Sequence, residues 1–439
     1  MTETTGHRTT RSAADPAEAR KVAFAAFVGT ALEWYDYFLY GTAASIVFDR
    51  LYFATEDAAV ATLAAFASFA VGFLARPVGA VVFGHLGDRI GRRRTLLITV
   101  TLISVVTGAI GLLPDFAAIG VAAPLLLTLL RILQGVAVGG EWGGAVTLAV
   151  EHAPPEQRGR FAALPQIGSP IGTLLSSGGF YLVALMPDET FDAWGWRLPF
   201  LAAFPLLGVA LYLRRRVGES PLFAELLAEH DRASMPALEL FRRSWRQVLV
   251  GLAASLIGIG GFYLLTTFVI SYGTNQLGLP KSLMLGATLV AAVVEIGTLL
   301  IGGRLADRFT PGKVCFWGGV VSALAAFPVF WAIDTRNPVL VVLAVAVGIN
   351  CASVPYAVSG ALLAGLFPVK LRYSGVAISS NLAGMVSGFV PLVASALLIA
   401  SDEKSWSVAL VLVALALATA LGGLLALRLT HRDEVTVHS

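Results

Sequence analysis

Gly84-His85-Leu86-Gly87-Asp88-Arg89-Ile90-Gly91-Arg92-Arg93-Arg94 is a short charged stretch, punctuated by glycine, between two apolar runs at 58 to 83 and 95 to 113. Glycines let two helices turn back on each other within a few residues. Arginines beside an apolar run mark the end that stays in the cytoplasm. Part of the stretch recurs: Gly84, Leu86, Asp88 and Arg89 return 219 residues later as Gly303, Leu305, Asp307 and Arg308, again just behind the second apolar run of a series. A repeat on that scale divides the chain into two similar halves.

Ten further apolar runs flank these two, near 22 to 48, 117 to 150, 161 to 186, 195 to 213, 248 to 271, 281 to 303, 314 to 333, 338 to 367, 375 to 400 and 406 to 429. Of the 439 residues, 56% are hydrophobic and 13% are charged. Soluble domains carry nearer a quarter charged residues, so an ordinary soluble enzyme is excluded. Twelve helices of roughly 22 residues use about 264 residues and leave about 175 for tails and loops. The runs are not the ten-residue alternating strands of an outer-membrane barrel. The expected fold is therefore all-α, with twelve transmembrane helices in two pseudo-symmetric six-helix bundles.

With the N-terminus inside, 24 of the 31 Lys and Arg fall on cytoplasmic segments and five (Arg50, Arg197, Lys281, Arg336 and Lys404) fall outside. Arg76 and Arg131 lie within runs. Both termini are thus expected in the cytoplasm of a multi-pass plasma-membrane protein, and the Arg-rich, Lys-poor, Ala-rich usage suggests a bacterial one. The expected layout is a tail at 1–21, a bundle at 22–213, a linker at 214–247, a bundle at 248–430 and a tail at 431–439. The first 21 residues lack a small-residue cleavage signature and read as a retained tail. Cys315 and Cys351 sit in apolar runs and form no disulfide framework. The net charge of +3 is a topology signal, with no basic patch left over for nucleic acid.

The first run contains Glu33-Trp34-Tyr35-Asp36-Tyr37-Phe38-Leu39-Tyr40. At about 100° per residue Glu33, Asp36, Tyr37 and Tyr40 share one stripe. Glu33 lies about 16 Å deep, where a charge costs roughly 2.5 to 3.5 kcal/mol, so such acids are paired or protonated. In the fourth run Arg131, Gln134, Glu141 and Trp142 share a broad face, and Arg131 is the obvious counter-charge for those acids. It can bind a carboxylate bidentately. Glu141 also reads as a packing ion pair, and Arg76 as a side chain that snorkels to the nearby membrane surface. Gly135, Gly139, Gly140, Gly143 and Gly144 permit close helix contact.

Further polar residues occur in later runs. Gln166, Ser169 and Thr173 lie beside Pro170; Tyr263, Thr266 and Thr267 follow in the seventh run. Gln166, Tyr263, Glu295, Asn350, Tyr356 and Asn381 are secondary cavity candidates, although polar residues in membrane helices often bond their own backbone or a neighbour. No G-x-x-x-x-G-K-[ST], H-E-x-x-H or G-x-S-x-G occurs. The minimum chemistry of a single-chain ATP pump, a zinc protease or an elbow-type hydrolase is therefore missing, and neither cofactor nor metal is expected. The six histidines lie in tails, loops or run ends, leaving buried carboxylates to carry protons.

These residues together resemble the major facilitator superfamily from Val22 to Leu429. Within it, Glu33-Trp34-Tyr35-Asp36-Tyr37, Ala75-Arg76-Pro77-Val78-Gly79, Arg131-Ile132-Leu133-Gln134-Gly135, Gly139-Gly140-Glu141-Trp142-Gly143-Gly144, Trp194-Gly195-Trp196-Arg197-Leu198-Pro199-Phe200 and Arg372-Tyr373-Ser374-Gly375 are similar to the metabolite and proton symporters. Relatives in that family carry shikimate, oxoglutarate, citrate or proline and betaine. The resemblance implies alternating access with proton co-transport, a rim latch of Gly84, Asp88, Arg89 and Arg93, and a coupling role for Arg131. Asp307 and Arg308 repeat the latch, but the chain continues as Phe309-Thr310-Pro311-Gly312-Lys313 in place of the arginine-rich ending. The tail after Arg432 has no room for the coiled coil of the osmosensory members.

The expected function is import of a small organic acid with protons by a monomer that meets substrate, protons and lipid. Glu33, Asp36, Tyr37, Arg131, Gln134 and Glu141 form the coupling site in this reading. A zwitterion carrier, an exporter, and a non-transporting sensor using the basic linker remain as alternatives.

Overall fold

The computed structural model describes residues 16–53, 55, 57–90, 92–139, 155–216 and 244–437. Glu141, most of the 1–21 tail, most of the 214–247 linker and the end of the 431–439 tail lie outside the described residues. The backbone around Gly84, Asp88, Arg89 and Arg93 is helical, while the side chains of this expected latch lie outside the described part.

Among the described residues every regular element is helical. Seven helical segments there are long and apolar enough to cross a membrane: Ala58–Phe83, Trp245–Gln276, Lys281–Phe309, Pro311–Asp334, Pro338–Leu366, Ser374–Ala400 and Trp406–Leu429. Two shorter apolar helices span Leu97–Leu112 and Ala122–Val138. The helix Pro16–Ile46 carries the acidic and phenolic stripe.

Two expected spans are segmented, and proline is the reason. Pro165 and Pro170 have no N–H to bond four residues back, and the 161–186 run divides into Arg158–Ala163, a 3₁₀ turn Pro165–Ile167 and Gly168–Val183. Pro205 likewise leaves Leu201 without a helical donor, and the chain breaks between Arg197–Leu201 and Ala203–Arg216. Three π-helical turns, Ile257–Gly261, Leu264–Phe268 and Tyr272–Gln276, widen the Trp245–Gln276 segment.

Helix ends follow local chemistry. The Asn337 side chain accepts from Val339 N at 3.0 Å and Leu340 N at 3.3 Å, capping Pro338–Leu366, and Asp57 caps Ala58–Leu74 in the same way. Lys281–Phe309 and Pro311–Asp334 are joined by one residue, Thr310, at φ 71°. Pro311 then starts the next helix where a missing N–H costs nothing.

The helices before residue 217 meet those after residue 244 at both ends. At one end Asn275 Nδ2 donates to Asp49 Oδ2 at 3.1 Å and Lys281 Nζ to Asp188 Oδ1 at 3.0 Å. At the other end Gly159 N donates to Asp307 Oδ1 at 2.7 Å, and Arg160 Nε lies 3.1 Å from Asp307 Oδ2. Lys281 and Asp307 are 26 residues apart on one helix, so the two ties are separated by about 39 Å. Gly159 allows the second tie, because a Cβ there would sit 2.7 Å from Gly303 O and Ala306 Cβ.

Candidate substrate-binding site

Arg131 is halfway along Ala122–Val138 and fully buried. Its Nη1 donates to Gln134 Oε1 at 2.6 Å and its Nε to the Phe69 carbonyl at 3.3 Å. The guanidinium carbon is 4.3 Å from the centroid of the Tyr40 ring and 5.0 Å from those of Tyr37 and Phe69. Among the described residues no carboxylate lies within 4.0 Å of it, and Nη2 is buried with no partner. Arg131 therefore faces Asp36 of the first run within electrostatic range, without a direct ion pair. Aromatic faces hold the cation, and one N–H edge is left over.

Glycine makes room for this arrangement. A Cβ on Gly72 would lie 2.5 Å from Arg131 Nε, and Gly135 packs directly on the Gly72 carbonyl. Close approach of small residues is how helices associate in lipid, and here it lays Arg131 flat between two helices.

The stripe on Pro16–Ile46 divides by direction. Asp36 is buried, with Thr107 against its carboxyl. Gln134 Nε2 links this layer by donating to Thr107 Oγ1 at 2.9 Å and the Asp36 carbonyl at 3.5 Å. Tyr37 accepts from Arg76 Nε at 2.6 Å, and Arg76 also stacks on Phe73 at 4.9 Å. Arg76 is half-buried inside the helix layer, so the expectation that it snorkels is corrected: a phenol within reach holds it. Glu33 lies within electrostatic range of Arg76, Tyr263 and Tyr356.

Tyr263 is buried against Phe69 and Phe73, each 5.3 Å away between centroids. It carries the aromatic layer from the first set of helices to the second. Gln166 crosses between the sets, its Nε2 donating to Tyr356 O at 3.2 Å and Ser359 Oγ at 3.1 Å. Glu295 is fully buried and accepts from Ser353 Oγ at 2.9 Å. Asn350 is committed to helix contact: Oδ1 accepts from Thr298 at 2.6 Å, and Nδ2 donates to Ala346 O and Ala291 O. Asn381 donates to Ala377 O on its own helix. Asp307 makes the inter-set tie already described, whereas Arg308 is exposed over Phe309.

Three contributors escaped the sequence reading. Arg76 was discounted for its depth, Thr107 is an ordinary threonine in an apolar run, and Trp34 reads as one more aromatic. Only the paired readout of Arg76 with the stripe on the facing helix signals its place.

The described fold, with a charge-bearing aromatic layer sealed between its helices, is that of a multi-pass helical membrane protein. The Major Facilitator Superfamily model matches residues 26–339 and 287–438, and the chain belongs to that superfamily. It is not an enzyme, and it is a multi-pass protein of the bacterial inner membrane. The shikimate transporter of Escherichia coli (strain K12) is 38% identical over 414 residues, covering 93% of this chain and 94% of that one. An inner membrane metabolite transport protein of the same strain is 38% identical over 422 residues, 94% of each chain. The glycine betaine, proline, ectoine and pipecolic acid transporter of Dickeya dadantii (strain 3937) is 34% identical over 426 residues, 93% of this chain and 83% of its own. The D-xylose-proton symporter crystal structure superimposes with a TM-score of 0.73 at 19% identity, covering 91% of this chain and 97% of that one, which shows the fold.

Proposed function

We propose that the chain imports a small organic acid together with protons by alternating access. Twelve spans form two six-helix bundles, 22–213 and 248–430, joined by the 214–247 linker, with both ends in the cytoplasm. The ties at Asp49 and Asp188 then close the periplasmic side and the tie at Asp307 the cytoplasmic side. Each must open in turn.

The observation that carries the reading is the unpartnered Nη2 of buried Arg131, a charged donor that a carboxylate satisfies with a charge-assisted hydrogen bond. Gln134 and the Phe69 carbonyl fix the guanidinium plane, and the rings around it exclude water. Asp36 and Glu33 flank the anion's place, and a proton taken up by either removes a like charge there, so proton and anion load together. One proton entering down the membrane potential supplies about 2.3 kcal/mol per 100 mV. Names of the relatives support a metabolite cargo.

The test uses liposomes with a trapped pH dye. Adding a carboxylic acid to wild-type vesicles should acidify the interior, and Asp36→Asn or Glu33→Gln should abolish acidification while sparing substrate exchange. Uptake that stays proton-coupled in both variants would sink the coupling role of these acids.

A zwitterion carrier is the second reading, favoured by Glu33 lying in range of Arg76, both charge signs in one layer. Competition by glycine betaine but by no simple acid would select it.

A further inference from the structure

The acid-and-proton reading leaves one group of buried polar atoms unused. Glu295 is 14 residues into the Lys281–Phe309 helix, about 21 Å from its start. Ser353 satisfies Oε1, but Oε2 has no partner. No Lys or Arg forms an ion pair with it among the described residues. One turn beyond Ser353, the Tyr356 hydroxyl is buried, in a residue 5% exposed, and is also unpartnered. Trp34 stands edge-on to Tyr356 with ring centroids 6.4 Å apart, and its Nε1 is buried without a partner.

On the helix that carries Tyr356, Asn350 and Ser359 do find partners, and Gln166 donates to Ser359 from the facing 3₁₀ turn. A buried polar atom without a hydrogen bond destabilises a fold, so three of them around one contact between three helices point to a ligand.

Their chemistry narrows what that ligand offers. Trp34 Nε1 only donates, Glu295 Oε2 accepts when ionised and can donate when protonated, and a phenol does either. A quaternary ammonium has no proton for Glu295, and a primary ammonium has no lone pair for Trp34. A carbonyl serves Glu295 only while that acid is protonated, whereas a hydroxyl serves either form. A hydroxyl both accepts and donates, and completes all three.

We propose that Trp34, Glu295 and Tyr356 form a subsite for a hydroxyl group on the substrate's carbon skeleton, at the pole remote from its carboxylate. This rests on the organic-acid reading above. Between the poles Phe38 stacks on Trp34 at 5.1 Å and meets Tyr263 at 6.3 Å, giving flat apolar walls suited to a ring.

The purified full-length protein in nanodiscs is titrated with shikimate, a ring acid with hydroxyls, with 1-cyclohexene-1-carboxylate, the same ring without them, and with glycine betaine. Wild type should prefer shikimate by about tenfold or more, the worth of one good hydrogen bond. Tyr356→Phe, Trp34→Phe and Glu295→Ala should each reduce that ratio to about threefold or less while binding of the bare ring acid changes by less than about twofold. Glu295→Gln, which keeps an acceptor, should retain most of the preference, and Asn350→Ala all of it. Equal wild-type binding of both acids, or an unchanged ratio in Tyr356→Phe, overturns the subsite alone. Binding of glycine betaine with neither acid overturns the organic-acid reading and the subsite with it.

Discussion

Arg76 reaches Tyr37 with its Nε at 2.6 Å from the phenol oxygen, while its guanidinium carbon lies 4.2 Å from the centroid of that same ring. Tyr37 also lies 5.0 Å below the Arg131 guanidinium, so one phenol is shared by two cations. The ring keeps them apart, and its oxygen partly offsets the first. An anion arriving at Arg131 therefore lowers the repulsion between both.

Arg131→Lys keeps the charge but loses the planar fork that bonds Gln134 and Phe69 while presenting Nη2. Uptake in proteoliposomes should fall about a hundredfold or more, equivalent to one or two charge-assisted hydrogen bonds. Uptake within a few fold of wild type would remove the guanidinium from substrate binding.

Gly72→Val places methyl groups where Arg131 Nε now lies and presses on Gly135. Overpacking of this kind costs about 1–3 kcal/mol or more. The melting temperature in detergent should drop by several degrees, while Gly208→Ala, which meets nothing within 4 Å, should leave it unchanged.

Asp307→Asn weakens the bond from Gly159 and removes the charge facing Arg160. The end of the molecule bearing Asp307 should open more often, seen as longer distances between spin labels on residues 157 and 304. A distribution identical to wild type would show that packing of Gly159 on Gly303 holds that end by itself.

The Lys281 hydrogen bond and charge hold the Asp188 carboxyl below its ordinary range. A carboxylate lowered in this way strengthens closure above its free pKa of about 3.9, and the benefit disappears as pH falls through the lowered value. The tie is therefore fully present from pH 6 to pH 8. Labelling of a cysteine introduced at Glu189, taken as a ratio to the rate in a Lys281→Ala background so that the thiol's own ionisation cancels, should be flat across that range but should rise with salt, since Asp188 is 88% exposed.

Much of this was legible beforehand because lipid makes sequence patterns blunt. Run 406 to 429 coincides with the observed apolar segment, and 338 to 367 misses by one residue. Arg131 and Gln134 on one face were readable from helical spacing. Partners across helices were not: helical period says which residues share a face and nothing about which face meets it. Hence Arg76 reads as a surface anchor and Asn350 as a cavity candidate. Pro165 and Pro205 were in plain view, yet hydropathy windows average across the breaks they cause.

Thr310 alone connects two long helices, in a left-handed conformation that suits threonine poorly. A joint that short has no slack. The Lys281–Phe309 and Pro311–Asp334 helices are tied at that point, so a displacement at Asp307 reaches the start of the second arm directly, and the far end of that arm is Asp334, about 35 Å on. There Asp334 accepts from Tyr272 and Ser405, and the chain has in effect a push-rod from one face of the membrane to the other.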